Sequence, residues 1–297
     1  MEPEWVADQF VLKQAAYTGT HCVVYQAKEA AIRKRVCAKF EEQESRLRTE
    51  ARAYRILGTK PGVPQCCWFG RHKKGHVLVT EWIGPSLEQL IVECSGHFSL
   101  GTVLHLADQL ISRLELLHSR SLLHRNLEPR NCLVHSRLVH LIDFALCKQY
   151  QDRSSQQHIP YAEGKTTVGH ARFASVSAML GIEQSSRDDL EALGYMLIYF
   201  LRGHLPWQGL QANNNRDKFQ RVLERKMSVS LALLCHDCPH EFCEYLTYTR
   251  ALRFEERPDY SYLRSLFRSL SHRLELSPVF DWERESNELL NTNRLEV

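Results

Sequence analysis

The spacing of apolar residues along the chain changes once. From Phe10 to about Ile83, short runs such as FVLKQA, CVVYQA, RVCAKF and HVLVTEWI have the two-residue alternation and β-branched content of strands, separated by turn signals. One charged segment among them, EQESRLRTEARAYRIL, spaces its apolar residues by three and four and predicts a helix. Beyond Gly84-Pro85-Ser86 the pattern turns helical, with TVLHLADQLISRLELLHS, RDDLEALGYMLIYFL and PHEFCEYLTYTRAL as the clearest amphipathic stretches. The predicted fold is α+β: a small β-rich lobe over 9–83, a large mainly helical lobe over 84–282, and a loosely held tail over 283–297 ending in SNELLNTNRLEV.

Composition narrows the function classes. The chain has 297 residues, 43% hydrophobic and 25% charged, which is globular usage with enough length for sizeable cores. A net charge of +3 gives no broad positive field, so nucleic acid is not implied and any preference for anions must come from local clusters. MEPEWVADQF lacks the basic start and apolar core of a signal peptide. The densest apolar run, LGYMLIYFL over 193–201, falls short of the roughly 20 residues of a membrane span and reads as a buried helix. Ten cysteines contain one metal-like spacing, Cys235-His236-Asp237-Cys238 with Cys243 beyond it, and no second pair at a finger-like distance. Zinc is therefore the minor reading, and reduced thiols in a cytoplasmic or nuclear protein the major one. Nothing in the sequence speaks to the oligomeric state.

The candidate chemistry lies where the two patterns meet. A lysine on a strand (VCAKF), a glutamate on the following helix (RTEARAYR), then LLHRNLEPRN and LIDFA, stand in the order of a phosphate-transfer machine. With HIPYAEGKTTVGHARFASVSAMLGIEQSSRDDLEALGYMLIYFLRGHLPWQGL (158–210) and RFEERPDYSYLRSLFRSL (253–270), the chain resembles the casein kinase 1 family of serine/threonine protein kinases over roughly 9–282. The resemblance implies a bilobal protein-kinase-like fold, with ATP and Mg²⁺ as cofactors and a place in intracellular signalling. Lys39 matches the lysine that holds the nucleotide phosphates, and Glu50 the glutamate that orients it. Gly19 is the surviving glycine of the phosphate-covering loop; Thr80 bounds the adenine pocket, with Glu81, Trp82 and Ile83 as its hinge. Asn131 and Asp143 match the magnesium ligands, and their amide and carboxylate oxygens are the hard donors that this ion prefers. Arg172, Gly209 and Lys218 match the family's anion pocket, with Lys165 a lesser contributor, and a guanidinium fork beside an ammonium and a backbone N–H suits a phosphate or acidic side chain. Phosphorylated or acidic protein segments are the partners this implies.

The departures from the family gather at the transfer step. Asn126 replaces the aspartate that accepts the substrate hydroxyl's proton, and an amide is no base at neutral pH. Glu128 replaces a lysine that neutralises the transferring phosphate, where a carboxylate would repel it. In AAYTGTHCVVY, Tyr17 and Cys22 stand at two of the three glycine positions, and Ala145 replaces the glycine of the DFG motif. The expected function is a catalytically impaired kinase-like protein, a pseudokinase, that keeps nucleotide, metal and phosphate recognition. The alternative is an active serine/threonine kinase of slow or unusual mechanism, since phosphoryl transfer is mostly positioning and Glu128 could stand in as the base. Asp189 and Gly194 in RDDLEALG resemble the helix start whose aspartate ties down the backbone of the HRN loop, which His124 and Arg125 are expected to fix, while Trp68 and Trp207 are expected to pack in cores.

Overall fold

The structure is a computed structural model that describes residues 4–19, 21–41, 43–277 and 279–283. Of the tail assigned to 283–297, all but Glu283 lies outside the described residues. The chain divides into two compact units, one of residues 1–84 with 133–147, the other of 85–132 with the remainder. The first takes in all but the first residue of a later hairpin, Cys132–His135 paired with Leu138–Leu141, because Leu141 N–H donates to the Gly62 carbonyl at 3.0 Å and Phe144 packs edge-on against Tyr54 at 5.0 Å. Gly84 allows the same approach, since a Cβ there would lie 2.4 Å from the Val134 carbonyl oxygen.

In the first unit, β1 (Trp5–Val6), β2 (Phe10–Thr18), β3 (Cys22–Glu29), β4 (Arg35–Glu41), β5 (Cys66–His72) and β6 (Gly75–Glu81) form an antiparallel sheet in the order β1-β2-β3-β4-β6-β5. Alternation along β4 sends Val36, Ala38 and Phe40 to one face, where they join Val6, Phe10, Leu12, Ala27, Val77 and Val79 in a core that Trp68 flanks. Cys37, Lys39 and Glu41 point to the other face. There the helix α1 (Glu44–Leu57) packs on β4, β5 and β6, turning Leu47, Glu50, Ala51, Tyr54 and Leu57 inward at helical spacing.

The second unit is helical: α2 (Leu87–Glu93), α3 (Leu100–Ser119), α4 (Val176–Met179), α5 (Ser186–Arg202), α6 (Asn215–Ser228), α7 (Leu231–Leu234), α8 (His240–Ala251) and α9 (Tyr260–Arg273). Local sequence starts these helices. Ser86 and Gln89 form a capping box at α2, with Ser86 Oγ accepting from Gln89 N–H at 3.2 Å and Gln89 Oε1 accepting from Ser86 N–H at 2.8 Å. Gly203 ends α5 with a left-handed φ of 73°. Helix α5 is the centre of this unit: Leu193, Tyr195, Met196, Leu197, Ile198 and Phe200 are fully buried, as the apolar run 193–201 predicts, and α3 and α8 pack against it. Among the described residues no helix is long and apolar enough to cross a membrane. None of the ten cysteines forms a disulfide; Cys235 lies against Cys243 while His236 turns to Asp237 at 2.8 Å.

The crossing of α5 and α8 sets one test. An added Cβ at Gly194 would lie 2.4 Å from Leu246 Cδ2 and 3.0 Å from Tyr245 Cε1. Alanine gains about 1 kcal/mol of helix propensity over glycine, yet overpacking at this buried contact costs roughly 1–3 kcal/mol. Gly194→Ala is expected to lower the urea unfolding midpoint, and an unchanged or higher midpoint contradicts the close packing.

Candidate functional site

In the first unit the sheet and α1 bring Lys39, Glu50 and Asp143 together. Lys39 is on a central strand, opposite Val24 of β3 and Leu78 of β6, so its ammonium is desolvated and needs partners. Lys39 Nζ lies 2.8 Å from Glu50 Oε2, 2.6 Å from Asp143 Oδ1 and 3.9 Å from Glu41 Oε2. Burial by itself would lower the lysine pKa, but Glu50 and Asp143 outweigh it and hold it well above the ordinary value. Glu41, two residues along the strand and therefore on the same face, was not anticipated, although the strand period points to it. Its carboxyl is pushed up by burial, against the pull of Lys39 and of Arg46 at 3.6 Å. Three carboxylates thus gather around Lys39, and Arg46 pairs with one of them, Glu41.

Asp143 carries the left-handed conformation of its turn, with φ 62° and ψ 60°, while Ala145 does not. Alanine in place of glycine is therefore accommodated without strain in this conformation. Of the other nucleotide-site residues, Gly19 N–H donates to the Cys22 carbonyl at 2.8 Å, and the exposed Tyr17 ring lies against it, 2.9 Å from where a Cβ would stand. Glu81 pairs with Lys34 at 3.2 Å and its N–H donates to the Gln65 carbonyl at 2.9 Å; Ile83 is buried.

The loop bearing Asn126, Glu128 and Asn131 belongs to the second unit, and α5 braces it. The buried Asp189 carboxylate accepts from the backbone N–H of His124 and of Arg125, both at 2.8 Å, and pairs with His118 Nε2 at 2.9 Å. Burial would raise its pKa, yet His118 and these donors keep it below the usual value. Arg125 is held at φ 62°. Asn131 Nδ2 donates to the Asn126 carbonyl at 2.9 Å, which leaves the amide oxygen as the Asn131 side-chain donor to a cation. Glu128 is buried and its Oε2 lies 3.2 Å from Arg130 Nε. The carboxylate expected to repel the transferring phosphate thus has a cation beside it. Arg130, two residues on, carries the opposite charge in plain view of the sequence, but only the short turn Pro129–Asn131 shows that the two side chains meet.

Arg172 and Lys218 both act electrostatically on a residue that sequence reasoning missed, His170. The exposed Lys218 rides on α6, and the Arg172 guanidinium lies 5.6 Å from the Phe173 ring centroid and 5.7 Å from that of Tyr199. Partial burial of the ring, then Arg172, Arg130, Lys226 and Lys218, push the His170 imidazole down to about 4, and its Nδ1 accepts from the Arg172 backbone N–H at 3.2 Å. Trp207 is buried as expected and also donates its Nε1–H to the Arg172 carbonyl at 2.8 Å. Gly209 stands two residues further with φ 70°, a turn that favours glycine. Lys165 goes elsewhere, 3.9 Å from Glu183, which Lys148 also holds at 2.8 Å.

Lys226 gave no sequence signal beyond its i+4 spacing from Val222 on the apolar stripe of α6. It is fully buried, donates to the Ala174 carbonyl at 2.5 Å and lies 4.6 and 4.9 Å from the Tyr195 and Trp207 ring centroids. Burial lowers its pKa to about 7. The folded value lies below the unfolded 10.5, so between these values unfolding takes up a proton and stability rises with pH. Lys226→Met removes that dependence, and is expected to improve stability relative to the parent more at about pH 6 than at about pH 9. An equal effect at both, by urea denaturation, contradicts a buried lysine that titrates.

The motif order, the Lys39–Glu50–Asp143 ion group on a β-rich unit and the braced HRN loop on a helical unit agree with a single comparison. The sequence model of the protein kinase domain family matches residues 13–259, most of the chain. The chain belongs to the protein kinase domain family.

Proposed function

We propose that this protein is a casein kinase 1-like kinase domain protein with impaired phosphotransfer, acting in intracellular signalling in the cytoplasm or nucleus by holding nucleotide and recognising phosphorylated or acidic protein segments. The observation that carries this reading is Asn126 itself: the loop around it is fully braced by Asp189, yet its side chain at the base position is an amide that takes no proton at neutral pH. Lys39, Glu50, Gly19, Glu81 and Ile83 would hold ATP, and Asp143 and Asn131 a Mg²⁺ ion; the hard carboxylate oxygens of Asp143 and the amide oxygen of Asn131 suit that ion. Bound magnesium supplies charge neutralisation on the phosphate oxygens. Arg172, Gly209 and Lys218 would receive the anionic side chain of the partner segment, as the cations around His170 support.

One observation favours the second reading, an active serine/threonine kinase. The Glu128 charge is compensated by Arg130 at 3.2 Å, so the electrostatic part of the defect is smaller than Glu128 alone implies.

Two measurements decide. In phosphotransfer from labelled ATP to an acidic peptide, Asn126→Asp is expected to exceed the natural protein by roughly 10²- to 10⁴-fold, the usual worth of a general base. Turnover by the natural protein that matches Asn126→Asp and vanishes in Asp143→Ala would overturn impairment. In thermal unfolding, Mg-ATP at ~100 times its dissociation constant is expected to add about 2.7 kcal/mol of stability. No shift with the natural protein contradicts nucleotide holding.

A further inference from the structure

We propose that Lys226 is a positioning residue for anion recognition by Arg172: it holds the Ala174 carbonyl and so fixes the Phe173 ring against which the Arg172 guanidinium rests. This rests on the anion-pocket reading above and deepens it. The Arg172 guanidinium lies 5.6 Å from the Phe173 ring centroid and 5.7 Å from that of Tyr199, and these two rings meet edge-on at 5.7 Å. Among the described residues no carboxylate pairs with this guanidinium, which leaves its fork to an external anion. The backbone beneath it is pinned from two elements. Trp207, in the loop after α5, donates its Nε1–H to the Arg172 carbonyl at 2.8 Å, and Lys226, on α6, donates to the Ala174 carbonyl at 2.5 Å. The buried Phe173 therefore sits between two residues whose carbonyls are both held by side chains from outside the segment.

Lys226 is an expensive way to fill this space. Its side chain is fully buried between the Tyr195 and Trp207 rings, surroundings in which a methionine of similar length would pack without desolvating a charge. Glu191, the carboxylate that acts on it, is engaged by the Tyr195 hydroxyl and by Arg250 at 3.3 Å. What the ammonium supplies here, and an apolar side chain does not, is a donor to the Ala174 carbonyl. A carbonyl deprived of that donor turns to find another partner. Turning it moves the adjoining Phe173, and with it the ring that orients Arg172. Fixing the guanidinium beforehand limits the side-chain entropy lost when an anion binds.

The test is fluorescence anisotropy with the full chain and a labelled acidic peptide carrying one phosphoserine, compared with the same peptide carrying serine. The natural protein is expected to prefer the phosphopeptide, and Arg172→Ala to erase that preference. Lys226→Met and Lys226→Leu both remove the donor and keep an apolar stem, so either serves if the other does not fold. Each is expected to bind the phosphopeptide roughly three- to tenfold more weakly, the effect of one hydrogen bond. The urea midpoint of Lys226→Met at about pH 6 is expected to exceed that of the natural protein, so affinity falls while stability rises, a split that a merely structural lysine would not produce. Lys226→Arg keeps an N–H donor that can lie against aromatic rings, and is expected to restore affinity to within about twofold of the natural protein. Natural affinity in the donor-less variants, or a loss in Lys226→Arg as large as in Lys226→Met, overturns the role of Lys226. The anion pocket still stands in that case if Arg172→Ala erases the preference for phosphate. No preference in the natural protein, or one that survives in Arg172→Ala, sinks the pocket and the role of Lys226 with it.

Discussion

The buried carboxylate of Asp189 is the constraint on which the helical unit's chemistry depends. Sitting in the first turn of α5, it accepts two backbone N–H groups and pairs with His118, so a left-handed backbone at Arg125 is tolerated where a non-glycine residue would ordinarily avoid it. The rest of the loop follows from that point: the turn that faces Glu128 with Arg130, the Asn131 amide tied to the Asn126 carbonyl, and the carbonyl of Arg125 against which only a glycine fits at 169. Because α5 is itself buried among α3 and α8, the brace is as rigid as the core that carries it.

The β-rich unit solves a different electrostatic problem. A lysine in the middle of a sheet must be compensated, and here Glu50 from α1 and Asp143 from the turn after the later hairpin supply the compensation within 2.8 Å, with Glu41 further off on the same strand. The group is complete as a set of ion pairs and still holds more carboxylates than Lys39 can neutralise. Tyr54, edge-on to Phe144, ties the turn that carries Asp143 to the helix that carries Glu50, so packing and charge act on the same two elements.

In the helical unit the signs of charge are redistributed along one short turn. A glutamate and an arginine two residues apart cancel locally, and the arginine belongs also to the cationic surroundings of His170. His170 stays neutral because its ring is partly buried and its neighbours are positive, while burial keeps Lys226 from ordinary lysine behaviour. Both are cases in which the surroundings, and not the residue type, set the charge.

Period and motif order made much of this legible beforehand. VCAKF and RTEARAYR marked Lys39 and Glu50 as partners, and RDDLEALG marked the brace, because each motif depends on residues near in sequence whose geometry a strand or helix dictates. The loss of a base at Asn126 was likewise visible, since it is a property of one side chain. Tertiary structure alone decided which charges meet. Lys165 goes to Glu183 and not to Arg172, Arg130 cancels Glu128, Lys226 is buried, and the stretch 133–147 packs with the first unit although it follows much of the second in sequence. Coulomb energy and desolvation depend on distance and burial across segments far apart in the chain, and neither quantity is written in local spacing.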